Sequence, residues 1–102
     1  MVTATDPVRS SHDRLTVRQV TEMLNAKLNE GITDPELKLA LGEETVRLRI
    51  TRDRVVPFSR IGNVLTISSD DAAILIEKEI AGQNRGGERI IRRNQKLEAA
   101  SA

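Results

Sequence analysis

The chain has 102 residues and a formal net charge of +1, and 38 % of its residues are hydrophobic although Phe58 is its one aromatic residue. A chain of this length forms one domain at most, with a modest core of aliphatic side chains. Because it contains no cysteine, a disulfide framework, a cysteine-ligated metal site and a thiol nucleophile are excluded, and a cytoplasmic location is favoured. No apolar run approaches the roughly 18 residues of a transmembrane helix, so we expect no membrane partner.

The basic residues are concentrated in two blocks of the sequence. Residues 47–60 contain five arginines and one acidic residue, and residues 85–102 contain five basic and two acidic residues, whereas 1–46 and 61–84 are net acidic. A polyanion responds to the local potential more than to the total charge. The two blocks are therefore candidate contacts for nucleic acid, the alternative being that they form ordinary solvated faces.

The first helix is predicted after a polar leader. Residues 1–14 are poor in apolar side chains, and we expect them to be flexible. Thr16 and Gln19 have the spacing of a capping box, which predicts a helix over 17–29 that ends before Gly31. Its apolar stripe consists of Val17, Val20, Met23, Leu24 and Leu28.

A second, short helix is predicted over 35–41. Thr33 or Asp34 can cap it, Pro35 is tolerated in a first turn, and Gly42 follows its end. Leu37, Ala40 and Leu41 supply its apolar face.

Residues 44–53 fit two structures. Val46, Leu48 and Ile50 alternate with polar residues, which is typical of a strand. In a helix Val46 and Ile50 share a face, but Leu48 points away from it. The pattern alone favours the strand, whereas Thr45 as a possible cap and the family resemblance described below favour a helix, which we adopt.

A β-hairpin is predicted next. The runs 55–61 and 64–67 are rich in β-branched residues and are separated by Gly62 and Asn63, the two-residue spacing of a tight hairpin turn. Pro57 has no N–H to donate, which places it at an edge strand or a strand entry.

A further helix is predicted to start after the hairpin. Ser68 and Asp71 have capping-box spacing, and Gly82 marks the end of the helix. The stretch 83–102 contains the Gly86-Gly87 pair and is interpreted as a linker and a basic tail, with a marginal helix around 90–97 that lacks a convincing apolar face. The apolar stripe of the helix after the hairpin consists of Ala72, Leu75, Ile76 and Ile80.

The chain shows no pattern typical of an enzyme. It lacks a phosphate-binding loop, an HExxH motif and a GxSxG motif, and the single histidine, His12, falls in the expected leader. Asp70 and Asp71 are better explained by capping and the helix dipole than by a metal site. We therefore expect a protein without catalytic activity, cofactor or metal.

The arginines in and after residues 44–53 indicate a duplex partner. Guanidinium groups bind phosphates and guanine edges, and a projecting hairpin can follow the neighbouring groove. Scarcity of aromatic residues argues against base stacking and so against single-stranded nucleic acid. Double-stranded DNA is the partner that this composition favours.

The sequences LTVRQVTEMLN (15–25) and ETVRLRITRDRVVPFSRIGNVLTISSDDAAILI (44–76) resemble the excisionase and MerR-type winged helix-turn-helix family. The resemblance implies a small α+β winged helix-turn-helix domain over 15–82, with the element at Thr45 as the recognition helix and 60–64 as the wing. The connection between the first helix and Thr45 is longer than the family's few residues, and Asp53 or Arg54 stands where a glycine commonly ends the recognition helix. If 46–51 were a strand, the helix at 35–41 would become the groove-binding candidate.

The function implied by the resemblance is that of a recombination directionality factor, which binds and bends DNA without bond chemistry. The implied partners are double-stranded DNA, an integrase or another protein, and further copies of the chain that bind cooperatively. The alternatives are a transcriptional regulator of the same fold and, in another class, a DNA-packaging or protein-assembly module. We assign base recognition to Arg47 and Arg49 and phosphate affinity to Arg60, Arg92 and Arg93. The full set of expected DNA-binding residues is Arg18, Thr45, Arg47, Arg49, Arg52, Arg54, Arg60, Asn63, Arg92 and Arg93.

Overall fold

A computed structural model describes residues 14–101, with side chains up to Ala99, and forms a small α+β domain. The expected leader, including His12, lies outside the described residues apart from Arg14. Within the described range there are four α-helices, a 3-10 turn and a three-stranded antiparallel sheet of order β1-β3-β2. The elements are β1 (Arg14–Thr16), α1 (Val17–Leu28), the 3-10 turn (Pro35–Leu37), α2 (Glu43–Thr51), β2 (Ser59–Ile61), β3 (Val64–Ser68), α3 (Ser69–Ile80) and α4 (Glu88–Ser101).

The start of α1 confirms the predicted capping box. The Gln19 N–H donates to Thr16 Oγ1 at 3.2 Å, and the Thr16 N–H donates to Gln19 Oε1 at 2.9 Å. The three residues before α1 form β1, which was not predicted, and pair with β3 so that Leu15 lies opposite Ile67. The chain therefore enters its first helix from the sheet.

The ambiguous segment is helical, as expected. Val46 and Ile50 are buried one turn apart, and the backbone N–H of Val46 donates to the Gly42 carbonyl. The third member of the buried face is Arg49 and not an apolar residue, which explains why hydrophobic periodicity indicated a strand. Gly42 is the N-cap and makes no side-chain bond, so the expectation that Thr45 caps the helix is wrong.

The predicted helix over 35–41 is a single 3-10 turn, followed by extended chain. Asn25 of α1 and Asn29, the C-cap residue of α1, hold this chain. Each side-chain amide donates to a carbonyl and accepts the N–H of the same residue, Leu41 for Asn25 and Leu39 for Asn29, at 2.7–3.0 Å. The four residues from Asn25 to Asn29 rise about 6 Å in a helix. The two residues from Leu39 to Leu41 span about 6.6 Å in extended chain, so the two asparagines are spaced to reach both leucines. These bonds occupy backbone groups that a helix would use.

The hairpin is present with the predicted turn. Gly62 has φ +63°, and Ile61 pairs with Val64 across the turn. Strand β2 begins at Ser59, and the preceding residues turn the chain out of α2, so the predicted strand over 55–61 is four residues too long. Val56 in that turn is buried in the core.

Helix α3 begins at the predicted N-cap, because the Asp71 N–H donates to Ser68 Oγ at 3.1 Å. Only this one of the two bonds of the predicted capping box is formed. Helices α1 and α3 pack against one another, and α1 packs against α2. The core that these elements share with the sheet consists of Val17, Val20, Leu24, Val46, Ile50, Val56, Leu65, Ile67, Ala72, Leu75 and Ile76.

The stretch interpreted as a basic tail contains a fourteen-residue helix, α4, that is docked on the domain. A Cβ at Gly87 would collide with the backbone of Gly82, so two residues without side chains allow the sharp turn between α3 and α4. Ile90 is buried, and Asn94 Nδ2 donates to the Ile80 carbonyl at 3.1 Å. The face of α4 that packs on the domain contains the polar Asn94 as well as the apolar Ile90, so the sequence shows no continuous apolar stripe there.

Candidate nucleic-acid interface

A groove on one side of the domain collects three of the expected DNA-binding residues. Burial of one face of α2 directs Arg47 outward, the first turn of α1 presents Arg18, and the hairpin turn presents Asn63. The three residues are far apart in sequence and are brought together by the packing of α1 on α2 and by the pairing of β1 with β3. The groove is lined by Thr16, Val17, Arg18, Glu43, Arg47, Asn63, Val64 and Leu65.

The two arginines of this groove are available to a ligand. Arg18 Nε lies 3.6 Å from Glu22 Oε2, with 77 % of the Arg18 side chain exposed. Arg47 Nε lies 3.8 Å from Glu44 Oε1, with 46 % of its side chain exposed. Exposed pairs within a helix are worth only about 0.3–0.5 kcal/mol, so a phosphate or a base edge can replace either carboxylate at little cost.

Acidic residues set the polarity of the groove. Glu43 and Glu44 occupy the first turn of α2, where they complement the helix dipole. A phosphate close to that end would be repelled, so anion contacts must come from Arg47 and from the flanking α1 and hairpin. The N-terminus of α2 is thereby excluded as a phosphate site.

The hairpin contributes a further exposed arginine outside the groove lining. Arg60 lies on β2, and its guanidinium carbon is 6.0 Å from the centroid of the Phe58 ring. That separation is at the outer limit of a cation–π contact. Arg60 is thus oriented loosely at the hairpin edge, where it can reach a polyanion that follows the groove.

Arg49 lies on the other side of α2 and is buried. Its Nε donates to Glu79 Oε1 at 3.0 Å, its Nη2 to Glu79 Oε2 at 3.5 Å and its Nη1 to Asp53 Oδ2 at 3.4 Å. The Arg49 and Glu79 side chains are 9 % and 2 % exposed. Asn84 Nδ2 also donates to Glu79 Oε1, at 2.7 Å. We therefore withdraw Arg49 from the DNA contacts, because its guanidinium joins α2 to α3.

Asp53 extends this buried pair to the surface. Arg52 Nε donates to Asp53 Oδ1 at 2.9 Å, and Arg85 Nε lies 3.9 Å from the same oxygen. The hydrogen bond from Arg52, with smaller contributions from the charges of Arg52, Arg85 and Arg49, holds the pKa of Asp53 below its ordinary value. The same bond raises the pKa of Arg52. Arg52 is therefore engaged within the domain, although it is exposed.

Arg54 ends α2 in an unusual conformation. Its φ is +52°, the left-handed region, and the Val55 N–H donates to the Arg49 carbonyl across the turn. Glycine is the usual residue at this position of a helix end, because it adopts the left-handed conformation without strain. The sequence has Arg54 where the family that it resembles commonly has glycine. The Arg54 side chain is exposed but does not line the groove.

Helix α4 forms a second basic surface beside α2. Arg93 is buried, its Nη1 donates to the Leu37 carbonyl at 3.4 Å, and burial lowers its pKa. We therefore withdraw Arg93, whereas Arg92 is exposed as expected. Arg89 and Lys96 share the α4 surface with Arg92. They were missed because the stretch was interpreted as a tail, although positions 89, 92 and 96 have the spacing of one helix face.

Thr45 lies between the two surfaces. It is half-buried and lines a concavity with Arg49, Arg89 and Ile90, on the side of α2 away from the hairpin. It is therefore placed beside α4 and not in the groove with Arg47.

The described residues contain no cluster of three or more histidine, cysteine or acidic side chains that could hold a metal ion. Among the helices of residues 14–101, none combines the length and apolar character needed to cross a bilayer.

Comparisons of the chain with protein-family models, curated proteins and solved structures find no match. Function must therefore be inferred from the geometry of residues 14–101.

Proposed function

We propose that the protein binds double-stranded DNA through a winged helix-turn-helix surface. In this arrangement α1 and α2 are the two helices of the motif, α2 enters the major groove, and the β2–β3 hairpin is the wing. The observation that carries the proposal is the convergence of Arg18, Arg47 and Asn63 on one groove.

The dimensions of α2 support this role. Nine helical residues are about 13 Å long, which is comparable to the major groove width of about 12 Å. With Val46 and Ile50 in the core, Arg47 is the basic residue of α2 that faces outward, so it is the candidate for a bidentate contact with guanine.

The flanking residues have positioning roles. Arg18 at the start of α1 and Arg60 on the hairpin contact phosphates in this proposal, and such contacts fix the register of the protein on the duplex. Asn63, at the tip of the hairpin turn, contacts the backbone or the edge of the neighbouring groove. Arg92, together with Arg89 and Lys96, adds phosphate affinity from α4.

Within this class we propose an excisionase-like recombination directionality factor. Such a protein is architectural and non-catalytic, and it binds adjacent sites and bends the DNA so that an integrase acts in one direction. The support is the sequence resemblance at 15–25 and 44–76 together with the groove. The alternative is a transcriptional regulator with the same DNA contacts, and genomic neighbourhood separates the two, since an adjacent integrase gene favours the first.

A protein-assembly module, such as the DNA-recognition subunit of a packaging machine, is favoured by one feature. Helix α4 carries Arg89, Arg92 and Lys96 beside the exposed Ile91, a mixture suited to a protein contact. Recovery of a stable protein partner by the full chain in the absence of DNA would select this alternative.

The test of duplex binding is footprinting on genomic DNA around the gene, followed by titration of the protected duplex. We expect affinity to fall steeply as salt rises, because phosphate contacts release counterions. Arg47→Ala should lose affinity, whereas Lys78→Ala, a matched change on the exposed side of α3, should keep it. Absence of duplex binding by the full chain at low salt would contradict the proposal.

A further inference from the structure

A second surface of the domain, formed by α1 and α3, exposes apolar side chains. Met23 on α1 and Ile74 on α3 are 44 % and 43 % exposed, and Ala26 on α1 and Ala73 on α3 are exposed as well. None of these residues is needed for the core. Scattered apolar residues are ordinary on a surface, but a contiguous patch marks an interaction site.

The centre of this surface is a concavity shared by the two helices. It is lined by Met23, Lys27, Ala73, Ile76 and Glu77, and its lining is mostly apolar. The nearly buried Ile76 forms its floor, while Lys27 on α1 and Glu77 on α3 supply charges of opposite sign at its sides. We call this set the α1/α3 face.

We propose that a second copy of the chain binds at the α1/α3 face. In a two-fold symmetric dimer the same patch is used by both copies, so it must be complementary to itself. A rotation that places α1 of one copy against α3 of the other brings Lys27 of each copy to Glu77 of the other. The apolar centre is then covered by the same side chains from both sides.

The charges select a second copy over a partner of another kind. A face with charges of one sign would select a partner of the opposite sign, because potentials across an interface are complementary. Here each helix presents one member of an opposite-charge pair, Lys27 on α1 and Glu77 on α3, so the face is complementary in charge to a second copy of itself.

The α1/α3 face can be occupied while the groove holds DNA. Met23 follows Arg18 by five residues, which is a rotation of about 140° around α1. The dimer therefore leaves the Arg18 side of α1 open in both copies. Self-association is measured without DNA, so this inference succeeds or fails separately from the proposed function.

The test is sedimentation equilibrium of the full chain without DNA, at concentrations up to about 1 mM, where weak association is visible. We expect a monomer–dimer equilibrium. Lys27→Glu and Glu77→Lys should each weaken it by about tenfold or more, because each places like charges together. The double variant carrying both changes should restore it, since the pair is then reversed. Lys38→Glu, a charge reversal at an exposed residue of the connection between α1 and α2, should leave it unchanged.

A further variant separates the interface from folding. Met23→Gln keeps the length and helix propensity of the side chain, removes apolar surface from the face and should also weaken the dimer, while thermal unfolding by circular dichroism shows that the monomer is intact. A monomer at every concentration would overturn the proposal and leave the face to a different partner. A dimer that is unaffected by Lys27→Glu, Glu77→Lys and Met23→Gln would overturn the assignment of this face. A double variant that does not regain self-association would overturn it as well.

Discussion

Arg47 and Arg49 belong to the same helix and the same basic block, but their environments are opposite. Arg47 lies in the groove with nearly half of its side chain exposed, and its ion pair with Glu44 is long. Arg49 is buried against Glu79 at 3.0 Å and is linked to Asp53. Two residues along a helix correspond to a rotation of about 200°, and this rotation separates an arginine that is available to a ligand from a structural one.

A count of basic residues in the sequence overstates the positive charge that a ligand can contact. Of the five arginines in 47–60, Arg49 is paired with Glu79, and Arg52 is hydrogen-bonded to Asp53. A polyanion therefore meets Arg47, Arg54 and Arg60, together with Arg18 from α1.

The largest effect on stability is expected from removing the buried arginine of α2. Arg49→Ala leaves the carboxylate of Glu79 buried without its main partner, and removal of one member of a buried pair costs about 3–5 kcal/mol. The measurement is the free energy of unfolding in urea. Arg47→Ala is the control and should leave this free energy nearly unchanged; equal losses in the two variants would contradict the distinction.

The next effect concerns the exposed side. Arg47→Ala should cost about 1–3 kcal/mol in binding to the footprinted site, with little change on random DNA of the same length, because a base contact is lost. Titration of both duplexes at one salt concentration measures the difference. Arg18→Ala should weaken binding to both duplexes alike, and a uniform loss in Arg47→Ala would assign Arg47 to phosphate instead.

A smaller effect is expected where α2 ends. Arg54→Gly should raise the free energy of unfolding by about 1 kcal/mol, because glycine relieves the left-handed conformation at φ +52°. Arg54→Ala removes the same guanidinium without relieving the backbone and is the matched control. If both variants had the stability of the parent, the strain argument would fail. Weaker DNA binding by both would show that Arg54 is kept for its charge.

The smallest effect is a pH dependence at the edge of the buried pair. Because the hydrogen bond from Arg52 lowers the pKa of Asp53 in the folded chain, its stabilising contribution is complete above the ordinary carboxyl value of 3.8 and is lost as the pH falls through the lowered pKa. The stability difference between the parent and Asp53→Asn should be largest near neutral pH and should shrink in acid. Unfolding in urea at several pH values measures it, and a difference that grows in acid would have the wrong sign.

The parts of the fold that follow from local chemistry were predictable. The Thr16–Gln19 capping box and the Gly62-Asn63 turn involve neighbours in sequence and have the predicted geometry. Ser68 caps its helix as predicted, through one of the two bonds of a capping box. The α+β class follows from these elements.

The remaining features depend on partners that are distant in sequence. The helix expected over 35–41 is lost to the side chains of Asn25 and Asn29, and α4 docks through Asn94 and the close approach of Gly82 and Gly87. Periodicity weighs apolar residues and cannot register such polar contacts.

The candidate site divides in the same way. Arg47 was expected from its basic block and Asn63 from its place in the hairpin turn, and folding brings both together with Arg18. Nothing local to Arg49 indicates that Glu79, thirty residues later, reaches it.

The bonds made by Asn25 of α1 and by its C-cap residue, Asn29, have a consequence for the evolution and engineering of this domain. Asn29 and Leu39 close the connection at its base, so the placement of α2 is independent of the length of the chain between them. Lengthening a flexible loop costs only about 0.6 kcal/mol for each doubling. Residues 31–34 are therefore a position at which a peptide tag can be inserted, or lineages can differ in length, while the two helices keep their spacing.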